Sequence, residues 1–172
     1  MKSIKLFAVA LFATLISSVS FAQKTKTIVE NALASKAHTT LVAALKAADL
    51  VTTLSGKGPF TVFAPTNTAF NKLPKGTLEM LLKPENKAKL AAILTYHVVA
   101  GKFDSKKIAA AIKAGNGKAV LTTVQGGKLT ASMSGKKLVL TDETGAKSTV
   151  IIGDVYQSNG IIHVVDAVVM HK

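Results

Sequence analysis

The stretch Thr61-Val-Phe-Ala-Pro-Thr-Asn-Thr-Ala-Phe70 decides the fold of this chain. Its first three residues favour a strand, and Pro65 ends the strand because proline has no N–H to donate to a ladder. Thr66 or Asn67 can then accept a hydrogen bond from a free N–H at the start of a helix, and apolar residues follow at helical spacing. The stretch therefore predicts a strand that leads directly into a capped helix.

The beginning of the chain has the features of a secretory signal peptide. Residues 1–5 are basic, residues 6–16 are almost entirely apolar, and Ser20 and Ala22 are the small residues that a signal peptidase reads. We expect residues 1–22 to be removed and the product to be periplasmic, extracellular or on the cell surface. A membrane anchor needs roughly 20 continuous apolar residues, and serines interrupt this run, so no transmembrane segment is predicted.

Residues 23–172 have the length of one compact domain. Hydrophobic residues make up 48% of the chain, and cysteine is absent. A chain of about 150 residues can bury a core without disulfide bonds. We therefore predict a single folded domain that starts at Gln23.

Helical periodicity dominates the first half of the domain, and short strands dominate the second half. The pattern predicts helices at 27–34, 38–50, 66–73, 77–82, 84–94 and 106–113 and strands at 60–64, 95–100, 119–124, 128–133, 137–141, 147–155 and 161–169. Four pairs mark tight turns because they accept positive φ: Gly126-Gly127, Ser134-Gly135, Thr144-Gly145 and Asn159-Gly160. Helices early and strands late predict an α+β fold.

Three motifs resemble those of fasciclin (FAS1) domains and follow that family's order: residues 61–70, the pair Tyr96-His97, and Asn159-Gly-Ile-Ile-His-Val-Val-Asp-Ala-Val-Val169. The resemblance covers nearly everything after the first 24 or so residues. It implies the FAS1 fold, a twisted β-sandwich or wedge with helices packed along one side, and an extracellular adhesion or interaction module. The motif positions expected to be structural are Thr61, Phe63, Pro65, Thr66, Asn67, Phe70, Tyr96, His97, Asn159, Gly160 and His163.

The resemblance also indicates candidate partner contacts at Tyr96, His97, Asp154 and Val155, since animal relatives have proposed receptor contacts near both places. Tyr96 and His97 fall in a predicted strand, where neighbouring side chains point to opposite faces. We expect one ring in the core and the other bonded to nearby backbone. Ile152-Gly153 before Asp154 departs from the family's pattern, so integrin recognition is not expected. The alternative is a loop aspartate that bonds its own backbone.

No pattern indicates catalysis, a metal or a cofactor. The chain has no G-x-S-x-G elbow, no Walker loop and no cysteine nucleophile. His163 and Asp166 are three residues apart, which suits one face of a helix but not of a strand. Neither this pair nor His38 and His171 have the spacing of metal ligands. We therefore predict a protein that is not an enzyme.

The charge indicates what the partners are. The formal net charge is +13, all 22 basic residues are lysine, and loss of Lys2 and Lys5 leaves about +11. Such a protein attracts polyanions, while the lack of arginine argues against nucleic acid. We expect a monomer that binds cell-surface or matrix protein or polysaccharide. The alternative is a carrier of a lipid or pigment in a groove, as in some FAS1 proteins.

Overall fold

The computed structural model describes residues 25–172, so the predicted signal peptide and the start at Gln23 lie outside the described range. Within this range, helices dominate the first part, where only two strands lie among them, and five consecutive strands follow. The elements are α1 (Ile28–Ala34), α2 (Thr39–Ala47), α3 (Val51–Ser55), β1 (Phe60–Pro65), α4 (Asn67–Asn71), α5 (Thr77–Leu81), α6 (Lys87–Tyr96), β2 (Val98–Ala100), α7 (Ser105–Ala114), β3 (Lys118–Thr122), β4 (Lys128–Ser134), β5 (Lys137–Thr141), β6 (Lys147–Gln157) and β7 (Gly160–Val165).

The strands form one curled sheet in the order β2-β1-β7-β6-β5-β4-β3. β1 and β7 run parallel, and the other neighbours are antiparallel. The two edges of the sheet approach each other: Val99 bridges to Thr123, and the N–H of Val124 donates to the carbonyl of Val98 at 2.7 Å. The predicted α+β fold with helices beside a twisted sheet is confirmed, and the sheet closes almost into a barrel.

Two hydrophobic cores lie on the two faces of this sheet. Successive side chains of β1 point to opposite faces, so β1 contributes to both cores. Val62 and Ala64 pack with α1, α2 and α6, while Phe63 points to the other side. The second core fills the curl of the sheet. It contains Phe63, Tyr96, Val99, Ile108, Ile112, Ala119, Leu121, Leu129, Ala131, Leu140, Val165 and Val169.

The stretch 61–70 folds as its sequence predicts. β1 ends at Pro65, and the Thr66 hydroxyl caps α4 by accepting from the N–H of Ala69 at 3.2 Å. Asn67 does not cap this helix. Its amide accepts from the N–H of Thr40 and donates to the carbonyl of Lys36, each at 3.0 Å, and so ties α4 to the start of α2.

The predicted strand at 95–100 was wrong in its first half. α6 continues through Tyr96, His97 closes it in helical conformation, and only Val98–Ala100 form β2. The tertiary fold overrides local strand preference here, because the last turn of the helix buries Tyr96 in the second core. The last strand also ends earlier than predicted, at Val165 instead of residue 169.

The turn predictions hold for three of the four hairpins, where Gly126, Gly135 and Gly145 have positive φ. The reason given for Asn159-Gly160 was wrong, because neither of these residues has positive φ. Gly160 is needed for another reason: a Cβ atom there would lie 1.9 Å from the carbonyl oxygen of Phe60. Glycine allows β7 to approach β1 closely.

Candidate functional site

A bulge in the middle of β6 exposes two adjacent isoleucines. The pairing of β6 with β7 shifts register between Val150 and Ile152 and again between Ile152 and Val155. We call residues 150–155 the β6 bulge. It presents Ile151 and Ile152 to solvent, 54% and 56% exposed. Bulges re-aim side chains in this way and are common next to functional sites.

Asp154 fixes the shape of the β6 bulge. Its φ of 58° lies in the left-handed region, which aspartate tolerates better than most residues. Its carboxylate accepts from the backbone N–H of Ser105 at 2.7 Å and from the Ser105 hydroxyl, both at the start of α7. The prediction of a loop aspartate that bonds its own backbone was therefore wrong. Asp154 lies within β6 and joins it to α7.

His163 supports the β6 bulge from below. Its Nδ1 accepts from the N–H of Asp154 at 3.3 Å, and its Nε2 donates to the carbonyl of Phe103 at 2.8 Å. The ring is fully buried and stacks on Phe63 with 5.5 Å between ring centroids. These contacts require a neutral ring with its hydrogen on Nε2. His163 therefore joins β7 to both the bulge and the loop before α7.

Thr61 holds the other end of the same loop. Its hydroxyl donates to the carbonyl of Gly101 at 2.8 Å and accepts from the N–H of Phe103 at 2.9 Å. Thr61 is fully buried, so its one hydroxyl satisfies two backbone groups. The loop that leads into α7 is thus fixed from both β1 and β7.

Tyr96 and His97 are both buried, 0% and 2% exposed. The Tyr96 hydroxyl donates to the carbonyl of Lys128 at 2.5 Å, and burial raises the pKa of Tyr96 to about 12. His97 donates from Nδ1 to the carbonyl of Ile93 at 2.8 Å and accepts at Nε2 from the N–H of Val169 at 3.1 Å. Burial lowers the pKa of His97 to about 4. A partner cannot touch either ring in the folded chain, so the candidate contacts narrow to the β6 bulge, where Val155 is half-buried.

Asn159 has a role that the sequence did not reveal. Its Oδ1 accepts from the N–H of Ile28 at 2.9 Å, and its Nδ2 donates to the carbonyls of Leu54 and Gly56 at 2.8 and 3.0 Å. One side chain thus joins the last hairpin to the start of α1 and the end of α3. No local signal could reveal these bonds, because all three partners lie in the first third of the chain. Phe70, the last motif residue of the opening stretch, packs in the helix-side core at 5% exposure.

The β6 bulge separates two cavities. On one side is an open cleft of about 480 Å³ that contains Ile151, Asp154 and His163 together with Lys136 and Lys137. On the other side is a cavity of about 260 Å³ that lies between the sheet and α1. Charged side chains therefore line the cleft on one side of the bulge, whereas the cavity on the other side is lined by uncharged and mostly apolar residues.

Most lysines lack an acidic neighbour. Lys2, Lys5 and Lys24 lie before the described range, which leaves 19 of the 22 lysines. Within residues 25–172 only two ion pairs form, Lys72 with Asp166 at 3.8 Å and Lys87 with Asp49 at 2.7 Å. The positive charge of this part of the chain is therefore largely uncompensated.

The described part of the chain offers no site for a metal ion, since no three His, Asp or Glu side chains come together there. Among the same residues, no helix has the length and apolar character to cross a bilayer.

The chain belongs to the fasciclin domain family, whose family model matches residues 36–171. It is 50% identical over 148 residues to Protein sll1483 of Synechocystis sp., covering 84% of this chain and 73% of that one. It is 36% identical over 122 residues to the cell surface glycolipoprotein MPB83 of Mycobacterium bovis, covering 71% and 48%. A solved FAS1 domain pair from the insect cell adhesion molecule fasciclin I matches with a TM-score of 0.76 at 18% identity, covering 86% of this chain and 51% of that one.

Proposed function

We propose that this chain is an exported interaction module without catalytic activity, which binds acidic polymers of a cell surface or matrix. Residues 1–22 are its signal peptide, and residues 23–172 are its one domain, which acts as a monomer. The observation that carries this proposal is the set of lysines without carboxylate partners described above. Their field attracts polyanions over distances of several ångströms.

The β6 bulge is one place where a polymer attracted by the overall charge can make contact. Lys136 and Lys137 lie beside Ile151 in the same cleft, so a polymer drawn by charge meets an exposed apolar side chain held in a fixed position. The names of two similar proteins support a role at surfaces: one is a cell surface glycolipoprotein and the other is a cell adhesion molecule. Adhesion to a surface or matrix is the role that we propose for this chain.

Salt dependence tests the proposal. Point-like ammonium groups attract a polyanion through a field that is screened over about 8–10 Å at physiological ionic strength. The chain from Gln23 should therefore bind an acidic polysaccharide column at low salt, elute as salt rises, and ignore a neutral polysaccharide. Failure to bind the acidic column at low salt would refute the proposal.

A pair of double variants tests whether the attraction is diffuse. Lys136→Gln with Lys137→Gln changes the cleft beside the β6 bulge, and Lys75→Gln with Lys83→Gln removes equal charge near α5. Both should elute at only slightly lower salt, since the lysines are scattered along the sequence. A salt-resistant complex that one substitution abolishes would instead require a shaped pocket.

N-terminal sequencing of the exported protein tests the signal peptide. The small residues Ser20 and Ala22 behind a short apolar run predict Gln23 as the first residue. Recovery of Met1 in a membrane fraction would contradict export as a cleaved product.

The second candidate function is a carrier of an apolar ligand. The cavity between the sheet and α1 favours it, since most of the residues that line this cavity are apolar. Apolar material that co-purifies with the protein from the native organism, and that organic solvent extracts, would support this function.

A further inference from the structure

The cavity between α1 and the sheet has the size and the walls of a small-molecule site. Its volume is about 260 Å³, and its apolar walls are formed by Ala32, Ala64, Ile152, Val155, Ile162 and Val164. No charged side chain lines it. A cavity of roughly 150 Å³ can bind benzene, and sites for drug-sized ligands begin near 300 Å³. This cavity therefore has room for an uncharged ring or short chain with a few further atoms.

His38 supplies one polar group to this cavity. The side chain is only 9% exposed, its Nδ1 lies 2.8 Å from the Ser35 hydroxyl, and its Nε2 has no hydrogen-bond partner. Burial lowers the pKa of His38, and the nearby carbonyl of Ala64 opposes this shift. The ring is therefore neutral near pH 7. In the tautomer in which the Ser35 hydroxyl donates to Nδ1, Nε2 carries the hydrogen and faces the carbonyl of Ala64 without the geometry of a normal hydrogen bond.

An unpartnered buried donor requires an explanation, because most buried polar groups in proteins are hydrogen-bonded. Asn31 and Ser35 are the other polar residues of the lining. Neither supplies an acceptor to Nε2. An oxygen atom of a bound molecule could fill this role.

Ile152 forms the outer lip of the cavity. It is 56% exposed, as is its neighbour Ile151 at 54%, but the two side chains serve different cavities. A molecule in the cavity would cover Ile152 and remove apolar surface from water, which is favourable. The clamp between Asp154 and Ser105 holds the β6 bulge in place, so the lip exists before any ligand binds.

We propose that this cavity binds a small uncharged molecule that combines a ring or short chain with one accepting oxygen, such as a ketone or an ester. The apolar part lies against α1 and β7 beneath Ile152, and the oxygen accepts from Nε2–H of His38. This inference rests on the second candidate function, the carrier, and is independent of polysaccharide binding.

Three probes of similar size test it: acetophenone, ethylbenzene, which lacks the oxygen, and benzoate, which is charged. Binding to the chain from Gln23 is followed by NMR titration of backbone amides. Acetophenone should give saturable shifts at Ala32 and Val164, and benzoate should bind there at least about tenfold more weakly. Absence of saturable shifts with acetophenone up to its solubility limit would overturn the proposal.

Ile152→Lys and Ile151→Lys form a matched pair of variants, since both change an exposed side chain of one strand. Ile152→Lys should weaken acetophenone binding about tenfold or more, and Ile151→Lys should leave it within about twofold. Equal effects of the two variants would overturn the proposal. Both variants should still bind the acidic polysaccharide. This measurement tests the principal function separately from binding in the cavity.

His38→Leu tests the hydrogen bond. The preference for acetophenone over ethylbenzene should fall at least about fivefold in this variant, and His38→Gln, which keeps a donor, should retain part of it. An unchanged preference in a folded His38→Leu variant would overturn the assignment of the donor. If His38→Leu does not fold, the two isoleucine variants still decide whether the cavity is a site.

Discussion

β7 and β6 are neighbours in the sheet, but their surroundings differ. Every residue of β7 is buried, while β6 leaves Lys147, residues 151–153 and Tyr156 exposed. β7 pairs in parallel with β1 and contributes to both cores, whereas β6 departs from regular pairing at its bulge. The comparison teaches that one strand supports the fold while the next presents a surface, and that His163 and Asp154 connect the two.

The largest expected effect lies on the buried side of this comparison. Phe63→Ala removes the ring on which His163 stacks and leaves a cavity beside β7, so the free energy of unfolding should fall by about 3–5 kcal/mol. The matched variant Ile151→Ala, on the exposed side, should change it by less than about 0.5 kcal/mol. Urea melts measure both. Similar losses in the two variants would contradict the distinction between a buried, stabilising side and an exposed side.

The dependence of stability on pH tests the buried side of this comparison through His97. Its folded pKa is about 4, below the unfolded value of 6.5. The unfolded chain therefore takes up a proton first, and stability is lost as pH falls from about 6.5 to 4, by about 3 kcal/mol from this group.

His97→Ala should reduce stability at pH 7.5 by about 1–3 kcal/mol, since it leaves the carbonyl of Ile93 and the N–H of Val169 without partners. It should also flatten the pH dependence between 6.5 and 4. Ile112→Ala provides the control, since it removes buried apolar volume but no titrating group and should preserve the slope. An unchanged slope in His97→Ala would contradict the buried neutral ring.

The hairpin between the two strands is the third test. Asn159→Ala removes three hydrogen bonds to backbone groups of the first third of the chain, so we expect a loss of about 1–3 kcal/mol. Ser158→Ala, in the same turn, should cost less than about 0.5 kcal/mol. Thermal or urea unfolding measures both. Equal costs would mean that Asn159 acts only as a turn residue.

The smallest expected effect is at the β6 bulge itself. Asp154→Asn keeps a residue that tolerates positive φ but replaces one acceptor oxygen with a donor, so the bonds to Ser105 weaken by about 1 kcal/mol. Hydrogen exchange of the Ser105 amide should accelerate, while β7 amides stay protected. Faster exchange throughout β7 would show that the bonds of the β6 bulge stabilise β7 itself, which would contradict the distinction between the two strands.

Local signals were enough to predict some of these features from the sequence. The end of β1 at Pro65 and a helix cap at Thr66 or Asn67 depend on residues within one helical turn of each other, and both were predicted; the structure shows that Thr66 is the cap. The bonds of Asn159 could not be, because the N–H of Ile28 lies 131 residues away. The same applies to Asp154, whose partner Ser105 is 49 residues away. The end of α6 was missed because tertiary packing of Tyr96 outweighs the strand preference of its neighbours.

The parallel pairing of β1 with β7 also determines when the chain can fold. Phe60 pairs with Gly160, one hundred residues later, and neither core is complete without β7. Pairings of such long sequence separation form slowly, since a large loop must close first. A chain still being synthesised cannot finish its sheet until residue 165 of 172 has been added. For a protein exported as we propose, a chain that enters a secretion channel before residue 165 has been added has no completed sheet to unfold.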